Sequence, residues 1–116
     1  MNTGKFQLYS DKAKTSEYRF RLLSRGNYKN ILHATEGYTT KQNCQKAIAS
    51  VKVNAPIDAR YDRKTTESGK QFYFVLKAGN GEPLGMSEMY NSTAARENGI
   101  DAVKRDAPDS PIEDLT

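Results

Sequence analysis

Apolar and polar positions alternate in two stretches of this chain. Tyr18, Phe20 and Leu22 point one way and Arg19 and Arg21 the other; later, Phe72, Phe74 and Leu76 oppose Tyr73 and Val75. A period of two marks a strand with one buried face. Elsewhere the period lengthens. Cys44, Ala47, Ile48 and Val51 fall at i, i+3, i+4 and i+7, and Ala95, Gly99, Ile100 and Val103 make a second stripe, so each set predicts the apolar face of a helix. Thr39 with Gln42 predicts a capping box for the first helix, and Asn91 or Ser92 supplies the cap of the second. Pro56 and Pro108 disfavour helical geometry in the preceding residue, which ends the two helices near Asn54 and Asp106.

The same elements are written twice. Residues 35–46 read TEGYTTKQNCQK and residues 87–98 read SEMYNSTAAREN, with Glu and Tyr in matching places. Phe20 and Leu22 match Phe74 and Leu76 at an offset of 54, and Leu32, Ile48, Val51 and Pro56 match Leu84, Ile100, Val103 and Pro108 at an offset of 52. The lost two residues fall in a hairpin loop, Ser24–Asn30 against Ala78–Glu82. Loops absorb such changes and packed strands do not. Gly and Asn in both loops accept positive φ cheaply and so favour tight turns.

Each copy predicts a strand (5–9 and 58–64), the alternating strand, a third strand (31–36 and 83–88), a helix, and a short extended piece at PID (56–58) and PIED (111–114). The order is β-β-β-α-β. A unit of about 50 residues buries too little apolar area to be secure alone. The second copy therefore supplies the other half of a core, and the chain reads as one α+β domain made of repeats at about 4–57 and 58–116.

The stretch SEMYNSTAARENGIDAVKRDAP, with GKFQLY, YRFRLL and the terminal PIEDLT, resembles the signature of the YegP-like family of small bacterial tandem-repeat domains. The likeness runs over residues 4–116 and is looser at Thr39–Lys46. It implies two β(3)-α-β units in a single antiparallel-rich sheet, with C-terminal strands exchanged and both helices on one face. On that implication Pro111–Leu115 pairs within the first unit's part of the sheet. The segment around Ile57–Tyr61 serves the second part and runs on as its first strand. The resemblance implies no activity, substrate or cofactor.

Charge adds one asymmetry. Residues 1–57 hold ten Lys/Arg against three Asp/Glu, a balance of +7, and residues 58–116 hold eight against eleven, a balance of −3. A basic half suits nucleic acid or an acidic partner, but two oppositely charged halves also simply attract each other. The longest apolar run, Phe72–Leu76, is far short of the roughly 20 residues of a spanning helix. No signal peptide precedes the strand Lys5–Tyr9, and the single Cys44 forms no intrachain disulfide. These features place the expected protein in the cytoplasm, away from membranes.

Catalytic chemistry finds little footing. The one histidine, His33, aligns with Gly85 and so is not repeated; Cys44 sits on an apolar helical stripe. There is no zinc spacing, P-loop or dinucleotide fingerprint. No catalytic, metal or cofactor residue is assigned, and the expectation is a non-enzymatic binding module. Glu36/Glu88 and Tyr38/Tyr90 recur, either as paired ligand contacts or because Glu favours a helix N-terminus and Tyr staples the turn. On the sheet face turned from the helices, Tyr9, Arg19, Arg21 and Tyr73 are the candidate surface contacts. Rings and guanidinium groups there suit a protein partner, a second copy, or weak binding of single-stranded nucleic acid. Solvated sheet faces also carry such residues with no ligand.

Overall fold

The computed structural model describes residues 3–11 and 17–116. The polar turn that the sequence predicts after the first strand falls at 12–16, outside the described residues. The chain runs β1 (Lys5–Asp11), β2 (Glu17–Leu23), β3 (Asn30–Ala34), α1 (Lys41–Asn54), β4 (Tyr61–Thr65), β5 (Phe72–Lys77), β6 (Pro83–Met86), α2 (Thr93–Asp106) and β7 (Ile112–Asp114). The strands form one mixed sheet in the order β4-β5-β6-β3-β2-β1-β7. Every strand pair is antiparallel except β1 with β7.

Both helices cover one face of the sheet. The alternating residues behave as their period demands: Phe20, Leu22, Phe74 and Leu76 are fully buried, joined by Phe6, Leu8, Leu32, Ile48, Val51, Ile100 and Val103. Tyr18 and Tyr90 pack at the margin of this cluster. The seam between the repeats is β3 against β6, where His33 faces Met86 and Ala34 faces Gly85. A Cβ on Gly85 would stand 2.7 Å from Leu32 Cγ, so the seam closes because this position lacks a side chain.

The helices end where the prolines require, at Asn54 and Asp106. The first cap differs from the sequence expectation. Thr40, not Thr39, is the N-cap, and its hydroxyl accepts from the Asn43 N–H at 3.0 Å. Ser92 does the same for Ala95 at 3.0 Å. Thr40 and Ser92 are 52 residues apart, so the offset of the repeat picks the right threonine.

The C-terminal strand crosses to the first repeat. Phe6 N–H donates to Pro111 O and Leu115 N–H donates to Leu8 O, each at 2.8 Å. Lys41, the first residue of α1, meets Asp114 of β7 at 2.6 Å. In the other direction no separate strand forms. Only six residues join α1 to β4, and Asp58–Arg60 among them wind into a 3-10 turn. Ile57 N–H donates to Asn54 O and Arg60 N–H to Ile57 O. The chain must climb from the helix layer back to the sheet, and these residues are spent on the turn. The predicted strand at 58–64 therefore begins at Tyr61.

Candidate functional site

Two hollows on the helix-bearing side correspond to each other under the repeat. The first, of about 380 Å³, lies between α1 and the β5–β6 hairpin and includes Glu36, Tyr38, Lys46, Ser50, Asn80 and Glu82. The second, of about 340 Å³, lies between α2 and the β2–β3 hairpin and includes Asn27, Lys29, Tyr90, Asn98, Gly99 and Arg105. Tyr38, Lys46 and Ala47 of the first become Tyr90, Asn98 and Gly99 of the second, at an offset of 52. Each cleft thus takes its helix and tyrosine from one repeat and its hairpin from the other. The central seam makes this possible, because β3 beside β6 swings each hairpin under the neighbouring helix.

The tyrosines are placed by backbone. Tyr38 exchanges two hydrogen bonds with Tyr18, at 2.7 and 2.8 Å, and Tyr90 exchanges two with Phe72, at 2.8 and 2.7 Å. Neither phenol has a hydrogen-bond partner among the described residues. Burial, then the nearby Glu36, pushes the Tyr38 pKa up to about 12. Burial, then Glu88, raises that of Tyr90. Both remain neutral hydroxyls, able to donate and accept. The Tyr90 hydroxyl lies against Gly99, where a Cβ would overlap it; Ala47 holds that place in the first cleft.

Charge separates the clefts. Glu36 and Glu82 line the first, have no ion-pair partner among the described residues, and also border an adjoining hollow with Thr35 and Pro83. Lys29 and Arg105 line the second, with Arg105 tied to Asp106 at 3.0 Å. The repeated glutamates are not equivalent in space. Glu88 stands 3.9 Å from His33 Nδ1, outside both clefts. Neither glutamate lies in the first turn of its helix.

The other predicted contacts are on the open face, yet they do not form one group. Tyr9 and Arg19 are cross-strand partners, and the Arg21 guanidinium lies 4.8 Å from the Tyr9 ring centre. Arg21 Nε donates to Gln7 Oε1 at 2.7 Å, Gln7 donates to Glu113 at 2.6 Å, and Arg19 meets Glu17 at 3.4 Å. Tyr73 is on β5, with β6 and β3 between it and β2. Strand spacing sets that gap at roughly 14 Å. Cys44 is buried, and burial pushes its thiol pKa up to about 11, which makes it a poor nucleophile.

The family model for a domain of unknown function, DUF1508, matches the chain twice, at residues 11–62 and 67–114. The chain belongs to this family. The first match runs from the last residue of β1 into the start of β4, and the second from beyond β4 through β7. Among similar members, a UPF0339 protein encoded in the ptx operon 5' region of Stutzerimonas stutzeri is 46% identical over 110 residues, 95% of each chain. The UPF0339 protein YegP of Escherichia coli K12 is 43% identical over 105 residues, 90% of this chain and 94% of that one. The solution structure of E. coli yegP, a protein of unknown function, superposes with a TM-score of 0.89 at 39% identity, covering 100% of this chain and 96% of that one. The UPF0339 protein SO3888 of Shewanella oneidensis gives 0.88 at 38% identity, over 98% and 92%.

The repeated tyrosines are legible in the sequence, but the clefts they floor are not. In the sequence Asn27, Lys29 and Glu82 are hairpin residues only. The signal was the seam: once two repeats share one sheet, their third strands meet, and each loop must reach the other repeat's helix.

Proposed function

We propose that this chain is a small non-enzymatic binding module that makes its ligand contacts in the two clefts. One observation supports the reading: the same cleft is built twice, each time with a neutral tyrosine hydroxyl that has no hydrogen-bond partner among the described residues. The first cleft, with two carboxylates against one lysine, suits a group bearing an amine or guanidinium. The second, with Lys29 and Arg105, suits an anion. The free, buried thiol of Cys44 fits a reducing compartment, and we place the module in the cytoplasm.

Single-stranded nucleic acid on Tyr9, Arg19 and Arg21 has weaker support. Arg21 already holds Gln7 and stacks on Tyr9, and Glu17 and Glu113 share that face.

The test is an NMR titration of the full chain with arginine amide and, separately, with inorganic phosphate. The expected result is saturable amide shifts at Glu36, Tyr38 and Glu82 with the cation, lost in the double variant Glu36→Gln, Glu82→Gln. Linear, unsaturating shifts spread over the surface for both probes would end this reading.

A further inference from the structure

The two outer edges of the sheet are built from equivalent strands but finished differently. Phe6 pairs with Leu22 in β1–β2, and Tyr61 pairs with Leu76 in β4–β5. Leu22 and Leu76 are 54 residues apart, so β4 is the counterpart of β1, with Tyr61 and Arg63 in the places of Phe6 and Leu8. The outward backbone groups of Phe6 and Leu8 are taken by β7. Those of β4 face no strand among the described residues.

Which groups face outward follows from the ladder. In an antiparallel pair, alternate residues bond to the partner strand and the others point away. Phe74 O accepts from Ser87 N–H, and Phe72 exchanges bonds with Tyr90, all on the far side of β5 from β4. Arg63 and Thr65, opposite Phe74 and Phe72, are therefore the non-bonded positions of β4–β5. Their N–H and C=O groups point off the edge. By the same period the Tyr61 carbonyl points outward, while its N–H is held by Asp58 O.

The side chains of this edge complement themselves. On the open face, Asp62 stands 3.4 Å from Lys64 and 3.0 Å from Lys77 of its own chain. On the helix side, Arg63 is neutralised by Asp58 at 3.0 Å and Glu97 at 2.9 Å. Antiparallel pairing of two such strands about a two-fold axis at Arg63 sets Asp62 of one copy opposite Lys64 of the other. That is the close, non-bonded position, with Cα atoms about 4.5 Å apart. The two Arg63 residues exchange backbone bonds, and each Thr65 N–H reaches the other copy's Tyr61 carbonyl. Charged edge residues usually discourage pairing. Here the order Asp-Arg-Lys matches itself in this register, so it selects an alignment.

We propose that β4 is a self-association edge: two copies pair antiparallel through Tyr61–Thr65, with Arg63 at the axis and Asp62 facing Lys64. The axis runs perpendicular to the sheet, so the helices of both copies share one side of a continuous sheet. The clefts of both copies then open on that same side.

The test is sedimentation equilibrium of the full chain across a concentration series. A species of twice the 13.0 kDa chain mass is expected at high concentration. Thr65→Pro removes an outward N–H and leaves the bonds to β5 intact, and it should weaken association by about tenfold or more. Lys64→Asp should weaken it, and the swap Asp62→Lys with Lys64→Asp should restore it. Wild-type amide exchange at Arg63 and Thr65 needs no variant, and protection there should rise with protein concentration. A monomer throughout, or a dimer whose Arg63 and Thr65 amides exchange at a rate independent of concentration, overturns the proposal.

Discussion

Asn54 and Asp106 stand at the same point of the two copies, the last residues of α1 and α2, and both are buried. Asn54 is satisfied within its own repeat and its junction: its amide donates to Ser50 O at 2.8 Å and its Oδ1 accepts from Arg60 Nε at 2.9 Å. Asp106 reaches across. It takes Arg25 from the β2–β3 hairpin of the first repeat at 2.5 Å, along with that residue's N–H and the neighbouring Arg105. Burial alone would raise the Asp106 pKa, but the hydrogen bonds from Arg105 and Arg25 overcome it and hold the carboxylate below its ordinary value. A one-atom difference between amide and carboxylate has turned a local cap into a tie between repeats. The clefts diverge in the same manner, the first acidic and the second basic, over a shared scaffold. Duplication has kept the packing and released the charges.

That comparison is sharpest in the core. Ile48→Ala and Ile100→Ala remove equivalent, fully buried side chains and should each cost roughly 2–5 kcal/mol by denaturant titration. Both variants should keep a single transition, because the two helices pack on one sheet. Two transitions, or a cost confined to one variant, would show that the copies do not share a core.

The helix ends should give smaller and unequal effects. Asp106→Ala removes charge-assisted bonds to Arg25 and Arg105 and should cost about 2 kcal/mol, against about 1 kcal/mol for Asn54→Ala. Equal costs would mean that the cross-repeat tie adds nothing beyond the local bond.

Acid should produce the smallest effect. Asp114, hydrogen-bonded to Lys41, and Asp58, hydrogen-bonded to Arg63, have pKa values lowered to about 2. An unfolded aspartate titrates near ~3.9. A carboxylate depressed in this way stabilises the fold fully above the unfolded value and loses that contribution as pH falls through the folded one. Between about pH 4 and pH 2 the Leu115 amide, which depends on β7, should lose protection relative to amides of the β5–β6 ladder. Parallel loss at both places would detach β7 from the Lys41–Asp114 pair.

Most of the scaffold was legible in the sequence. The period of two located Phe20, Leu22, Phe74 and Leu76, the helical stripes located Ile48 and Ile100, and Pro56 and Pro108 stopped the helices. Those signals are local, and the physics behind them acts over a few residues. What escaped depends on where elements meet. The 3-10 turn at Asp58–Arg60 is set by the climb from helix layer to sheet, which no property of PID announces. Thr39 and Thr40 differ by one position, and only the offset to Ser92 separates them. Arg25 read as a loop residue because its partner lies 81 positions away. Tyr73 was grouped with Tyr9, Arg19 and Arg21 because parity gives the face of a sheet but not the order of its strands.

β7 has a consequence for how the chain comes to be folded. Gln7 and Glu113, joined across β1 and β7, are 106 positions apart. β1 thus waits for the other strands of this sheet to emerge before its border is sealed. A ribosome adding about 5–20 residues per second leaves that border bare for seconds. During that interval the outward backbone groups of Phe6 and Leu8 lack the partners they have in the finished sheet, and a bare strand border of that kind is a template for pairing with another chain.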